Sequence, residues 1–302
     1  MDVSGQTGIE FRPATHDDYE DVVAFTRDTW TEMSDYIPDV YHDWIAGENR
    51  RTLVADTGDR VVGIVQMVLL SPTEAWAQGM RVAPEARGKG VAAALTRRLF
   101  SWAREQGAVV SRNMVFSWNE AGMGQSRSVG YEPVTEFRWL HPDPVAGDLP
   151  ATVGSDPEAA WSFWTGSKAH AHLGGLGLDM DESWALRELT PEMLERAAAE
   201  TALFTVTDAG DTRGLAYRTR AFDRDGESGT ERWAEYGLGA WADLTAAETL
   251  IQAVAADAAD CGADRTRLLI PEQPRTVSDG AYLRAELGDN PDFVFAADLT
   301  GD

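Results

Sequence analysis

Lysine is almost absent from this chain of 302 residues: of its 26 basic residues, only Lys89 and Lys168 are lysines. Cysteine is scarcer still. Cys261 stands alone, so no internal disulfide and no cysteine-based metal cluster can form. No apolar run approaches the ~20 residues that a bilayer-spanning helix needs. Residues 1–8 lack the apolar stretch of a secretory leader. These absences predict a soluble, cytoplasmic protein. Positive charge is also in short supply, with 50 acids against 26 bases and a formal net charge of -24. A compact body so charged repels itself. Molar salt shortens the Debye length to about 3 Å and relieves that repulsion. The composition therefore predicts a halophilic cytoplasm, the alternative being an acidic protein that recruits a basic partner. In either case the surface argues against nonspecific binding to nucleic acid or anionic membranes. Hydrophobic residues make up 43%, enough to build cores, and the length suits two domains.

The first half alternates strand and helix patterns. Strands are expected at 9–12, 51–56, 60–70, 75–82, 109–116 and 134–140, and helices at 18–32, 40–46, 90–106 and 120–128. Thr57-Gly58-Asp59 is a hairpin turn, and Gly107 ends the long helix. Residues 141–157 are rich in Pro, Gly and Asp and read as a linker before a Trp-rich helix over 158–171. The second half echoes the first. Asp56-Thr57-Gly58-Asp59 resembles Asp208-Ala209-Gly210-Asp211, and Trp76-Ala77-Gln78 resembles Trp233-Ala234-Glu235. Gln106-Gly107-Ala108 resembles Cys261-Gly262-Ala263, and Val129-Gly130 resembles Leu287-Gly288. All four matches keep one order at offsets of 152 to 158 residues, which points to a duplicated domain. The expected organisation is a disordered stretch 1–8, a first domain 9–140, the linker 141–157 and a second copy 158–302.

The segment from Met80 through Val82-Ala83-Pro84 to Arg87-Gly88-Lys89-Gly90-Val91-Ala92 carries the chemistry. A strand stops at proline, and a glycine-rich turn opens directly into a helix. Gly88 and Gly90 let the backbone approach a ligand closely. The first amides of the helix lack internal partners and, with the helix dipole, form an anion site suited to a pyrophosphate. Between residues 80 and 112 seven bases face two acids, a local reversal of the chain's charge. The plainer alternative is a glycine turn with a basic, solvated helix face. A P-loop is excluded, because no Gly-x-x-x-x-Gly-Lys-Ser/Thr run exists. Gly88-x-Gly90-x-x-Ala93 matches a dinucleotide fingerprint only superficially, since Pro84 cuts off the preceding strand.

In this setting, Arg87-x-x-Gly90-x-Ala92 resembles the Gln/Arg-x-x-Gly-x-Gly/Ala acetyl-CoA loop of the GCN5-related N-acetyltransferase (GNAT) superfamily. The Val82-x-Pro84 strand end and the run from Asn119 to Gly130-Tyr131 resemble that family too, so the likeness covers roughly 9–140 in order. A narrower resemblance links Asp35-Tyr36-Ile37-Pro38-x-x-Tyr41-x-x-Trp44 and Gly79-Met80-Arg81-Val82 to the histidine N-acetyltransferase-like branch, which also carries a divergent second domain. The resemblance implies a mixed, twisted α/β sheet flanked by helices and splayed near the cofactor, in tandem, with the second copy degenerate. It implies acetyl-CoA as co-substrate and no metal, with direct transfer in a ternary complex to a small primary amine or amino acid. The protein is expected to be a monomer or homodimer. Main chain at Met80 and Val82 would bond the pantetheine arm, with Arg81 also serving the cofactor. Amides of Arg87, Gly88, Lys89, Gly90, Val91 and Ala92 would hold the pyrophosphate, and Asn119 would also serve the cofactor.

The acid and base are harder to read. Where family members place a carboxylate before the loop, this chain has Gln78, and an amide is no base at neutral pH. Glu74 at the strand's start is the nearest substitute. Five residues before Tyr131, where a tyrosine acid is common, stands Ser126. Glu32, Asp35, Tyr36 and Tyr41 are candidates for the acceptor site; Tyr36 and Tyr41 are equally candidates for packing. In the second copy Glu235 opposes Gln78, but the helix after Asp243 begins with no glycine pair and no base, so no CoA binding is expected there. His170 and His172 point oppositely on a helix and do not make a metal pair. With acid and base in question, a noncatalytic acyl-CoA sensor is the alternative to a transferase.

Overall fold

The computed structural model describes residues 8–27, 29, 35–226 and 229–301. It divides into two compact units: Met1–Met114 with Asn119–Pro133 and Phe295–Asp302, and Val115–Trp118 with Val134–Val294. Among the described residues no helix is long and apolar enough to cross a membrane.

The first unit is built from β1 (Glu10–Pro13), α1 (Tyr19–Thr26), α2 (Ile37–Ile45), β2 (Arg50–Asp56), β3 (Val61–Leu69), β4 (Glu74–Val82), α3 (Val91–Glu105), β5 (Val110–Phe116) and α4 (Glu120–Ser128), and leads into β6 (Glu132–His141). Its strands lie in the order β1-β2-β3-β4-β5, antiparallel except for the parallel pair β4/β5. β3 reads as an apolar run broken only by Gln66, because both of its faces are covered. Gly63 turns its missing Cβ toward Val91 and Leu95 of α3, while the next residue, Ile64, packs with Val22, Tyr41 and Trp44 of α1 and α2. α3 repeats apolar residues at helical spacing and buries Val91, Leu95, Leu99 and Ala103. Truncating Leu95 or Leu99 to Ala removes a fully buried side chain, a loss of about 2–5 kcal/mol.

The second unit comprises β7 (Val153–Gly154), α5 (Pro157–Gly166), α6 (Lys168–Leu173), β8 (Leu176–Leu178), β9 (Leu186–Glu188), α7 (Pro191–Glu200), β10 (Ala202–Asp208), β11 (Asp211–Gly226), β12 (Gly229–Trp241), α8 (Leu244–Asp260), β13 (Arg265–Pro271), α9 (Pro274–Tyr282), β14 (Glu286–Leu287) and most of β6; β15 (Asp292–Asp298) follows. Its strands run β7-β10-β11-β12-β13-β6, again with one parallel pair, β12/β13, bridged by a long helix. That is the β4-α3-β5 arrangement repeated.

Three expectations differ from the structure. The boundary at 140 falls inside β6, whose residues Phe137 and Leu140 are ladder partners of Pro271 and Leu268. Residues 141–157 are not a free linker: Val153 pairs with Val206, and the Val145 amide donates to the Ala255 carbonyl at 3.0 Å. The single helix expected over 158–171 is two, because Ser167 is extended and its hydroxyl accepts the His170 amide as the cap of α6. The chain's end also returns to the first unit, where the Leu299 amide donates to Val109 and Arg104 donates to the Leu299 carbonyl. The disordered stretch expected at 1–8 lies, apart from Gly8, outside the described residues, as do most positions of the expected helix beyond Arg27.

Candidate active site

The site begins with a defect in β4. In the β3/β4 ladder Ile64 faces Arg81 and Gln66 faces Gln78, so Gly79 and Met80 oppose Val65 alone. This is a β-bulge. Gly79 sits at φ +66, and a Cβ there would lie 2.1 Å from the indole of Trp44. Only glycine meets both demands. On the other edge, β4 pairs with β5 at Glu74↔Val110, Ala75↔Ser111 and Trp76↔Arg112, and the ladder ends there. Beyond it the two strands are unzipped, leaving one edge of residues 77–82 without a strand partner.

β4 then runs into a short turn and the start of α3. Gly88 and Gly90 have φ of +72 and +78, and a Cβ on either would meet nothing within 4 Å. Gly90 is the N-cap and has no side chain to offer, and among the described residues no side-chain cap of α3 is found. The first amides of this 15-residue helix thus have no side-chain cap, and Lys89 is exposed beside them. Arg87 donates from Nε to the Val82 carbonyl at 3.1 Å, which braces the turn against the strand end. Arg81 likewise donates to the Met80 carbonyl at 3.1 Å.

The other candidates are spread more widely. Glu74 is buried, with Arg112 Nη1 at 2.5 Å and the Ser71 hydroxyl at 3.0 Å. Gln78 donates from Nε2 to Gln66 Oε1 at 2.7 Å; the fully buried Gln66 in turn donates to the Trp44 carbonyl and to Thr52 Oγ1. Asp35 is held by Arg81 Nε at 2.6 Å and by the Ile37 amide at 3.1 Å. Tyr36 is 45% exposed and lies edge-on to Trp44. Tyr41 is fully buried among α1 and α2, and its hydroxyl donates to the Thr15 carbonyl at 2.6 Å. Burial, and then the negative charge of Asp18, raise its phenol pKa above the usual value. Glu32 lies outside the described residues. Asn119 caps α4, its Oδ1 accepting the Gly122 amide at 2.9 Å. Ser126 is 1% exposed and accepts a hydrogen bond from Asn113 Nδ2 at 3.0 Å. Asn113 escaped the sequence reading. It is the first residue of β5 past the ladder, and its Oδ1 is buried with no partner among the described residues. Tyr131 is fully buried against Ser111, and burial pushes its phenol up, so it is no acid.

The second unit uses the same positions differently. Glu235 is completely buried, ion-paired with Arg220 at 2.8 Å and with Arg267, and it accepts from Thr219 Oγ1 at 2.7 Å. Burial works to raise its pKa, but the two guanidiniums outweigh it and hold the carboxyl below its ordinary value. Arg267 is itself walled by Trp184, Trp139 and Phe222 at 4.6 to 5.1 Å. At the start of α8, the Asp243 carboxylate accepts the Ala246 amide at 3.0 Å and meets Arg213 at 2.5 Å. Among the described residues no group of three or more His, Cys, Asp or Glu side chains is placed to hold a metal ion.

Residues 17–124 match the model of the acetyltransferase (GNAT) family. Over 93 residues the chain is 33% identical to a histidine N-acetyltransferase of Oreochromis niloticus; the match spans 30% of this chain and 27% of that protein. The fold likeness extends across both units. A GCN5-related N-acetyltransferase from Sphaerobacter thermophilus superposes with a TM-score of 0.59 at 14% identity, covering 97% of this chain and 96% of that one. A tandem GNAT protein from the clavulanic acid biosynthesis pathway superposes with a TM-score of 0.56 at 12% identity, covering 97% and 99%. The bulged, unzipped β4, the glycine turn and the uncapped helix all fall within residues 17–124, the stretch that matches the acetyltransferase (GNAT) family model.

Proposed function

We propose that the chain is an acetyl-CoA-dependent N-acetyltransferase whose first unit transfers the acetyl group directly to a small primary amine or amino acid. The observation that carries this reading is the open helix start: two left-handed glycines and an uncapped α3 at the foot of an unzipped strand edge. The residues fit the co-substrate. The turn from Arg87 to Ala92 offers amides to a diphosphate. The free edge of β4 at Met80 and Val82 offers main chain to an amide-bearing arm, and the orphaned Asn113 oxygen lies beside that edge. Bound there, the thioester supplies an acyl group activated toward an amine. The chain's own part is to hold the two reactants in line. Among the described candidates, Glu74 and Asp35 are engaged with arginines and Gln78 belongs to an amide chain, so in this reading the amine loses its proton to solvent. Asp35, Tyr36 and Arg81 border the acceptor in this reading. The likeness to histidine N-acetyltransferase favours an amino acid among acceptors.

Calorimetry with CoA in molar salt, followed by thiol release from acetyl-CoA across a panel of amines and amino acids, tests the proposal. Micromolar CoA binding with amine-dependent thiol release is the expected result; no CoA binding overturns it. The engagement of Glu74 with Arg112 favours a second reading, a noncatalytic acyl-CoA sensor, which predicts tight binding and no thiol release with any amine. Molar salt also addresses the net charge of -24: a halophilic, cytoplasmic protein melts lower as salt is withdrawn.

A further inference from the structure

Asn113 and Ser126 meet where β4 and β5 part. The Asn113 amide donates from Nδ2 to Ser126 Oγ at 3.0 Å. A hydroxyl has one proton to give and two lone pairs to fill. With one lone pair taken by the amide, the proton of Ser126 is turned away from Asn113, and among the described residues it finds no acceptor. The Asn113 oxygen is also buried and unpartnered. Unpaired buried polar atoms are rare and costly, so this pair is poorly explained as filler. The second unit shows what filler looks like. The 155-residue offset that aligns Gly107 with Gly262 puts Leu268 in place of Asn113. Leu268 is fully buried, and its methyl lies 2.9 Å from where a Cβ on Gly239 would sit. There an apolar side chain fills the space against β12; in the first unit the same register carries an amide with hydrogen-bonding capacity left over.

We propose that Asn113 is a positioning residue: it orients Ser126 so that the hydroxyl proton faces the sulfur of an acyl-CoA lying along β4. This rests on the reading of that edge as the acyl-CoA site. As the amine nitrogen bonds to the carbonyl carbon, the C–S bond breaks and its electron pair leaves on sulfur. The Ser126 O–H spreads that charge through a hydrogen bond and keeps its proton. The extra proton on nitrogen goes to solvent, and solvent later protonates the thiolate.

The ultraviolet absorbance of the thiolate, followed against pH, reads the thiol pKa of CoA bound to the intact protein without any turnover. The expected result is a bound thiol more acidic than free CoA. Ser126→Ala and Asn113→Ala each raise its pKa by about one unit, a tenfold loss of ionisation. The double variant is no worse than Ser126→Ala alone, because Asn113 acts through the serine. Asn113→Leu, the residue of the second unit, replaces Asn113→Ala in the same cycle if the alanine variant does not fold. A thiol pKa unchanged by the Asn113 substitutions, or additive effects in the double variant, overturns the proposal even where CoA affinity falls. If the unaltered protein binds no CoA in calorimetry, the underlying reading of the site fails and this inference fails with it.

Discussion

The two units start their long helices in opposite ways. α3 begins at a glycine with φ +78 and no side-chain cap, whereas α8 begins at Asp243, whose carboxylate already accepts a helix amide and is steadied by Arg213. The same dipole end is left open to a foreign anion in one unit and closed by an internal one in the other. The neighbouring strand repeats the lesson. Past its parallel ladder β4 has a free edge beside Asn113, while a Cβ on Gly237 or Gly239 of β12 would run into Tyr217 or Leu268. The arginines correspond as well. Arg112 and Arg267 fall at the 155-residue offset, and each pairs with a carboxylate on the preceding parallel strand. That carboxylate is Glu74, at the start of the strand, in one unit. In the other it is Glu235, the counterpart of Gln78. A carboxylate at that position is therefore not by itself a base; Glu235 is a structural anion.

The largest effect expected from testing this contrast is on the second unit's stability. Glu235→Gln leaves the buried Arg267 and the partly buried Arg220 without their anion and costs about 3–5 kcal/mol in a denaturant titration in molar salt. CoA affinity is expected to stay within twofold; a larger loss would tie Glu235 to the cofactor.

Asp292 sharpens the contrast between paired and poorly paired carboxyls. Burial pushes it up to about 7, with Trp139 and then the charge of Arg138 only partly offsetting. Its unfolded pKa is near the ordinary ~3.9. The folded state thus holds more protons across that window, and stability falls as pH rises from about 4 to about 7 and then levels off. Asn in its place removes the slope, so at pH 8 Asp292→Asn gains about 2–4 kcal/mol relative to its difference from the unaltered protein at pH 4. Melting curves at the two pH values check this.

Gly90→Glu gives α3 an anion of its own and strains a left-handed position. It is expected to weaken CoA binding roughly a hundredfold, about 2.7 kcal/mol, with circular dichroism unchanged. Unaltered affinity would remove the turn from the site. The smallest effect belongs to the converse change. Asp243→Ala uncaps α8 at a cost of about 1 kcal/mol, yet calorimetry is expected to count one CoA per chain as before, because Leu268 still fills the space against β12.

Local signals were legible in the sequence. The hairpin at Thr57-Gly58-Asp59, the helix end at Gly107 and the glycine turn before α3 each follow from backbone chemistry within a few residues, and the structure has elements there within a residue or two. Pairings across long separations were not legible. Nothing near Glu74 announces Arg112, 38 residues on, and nothing near Asn113 announces Ser126. Residues 141–157 carry the composition of a linker, but composition does not record that Ala255 and Val206 stand ready to bond their backbone. The break between α5 and α6 was readable in principle, since Gly166-Ser167 is an end-and-cap signal; the surrounding apolar run masked it.

The contact of Trp44 with Gly79 has a further consequence. An indole from one face of the sheet occupies the place a Cβ of residue 79 would take, so the bulged strand is backed at that point by a side chain that need never touch what enters the opening. Residue 79 is held to glycine twice over, by its left-handed backbone and by the indole of Trp44, so a slimmer residue at 44 does not by itself admit a side chain at 79 while the bulge persists.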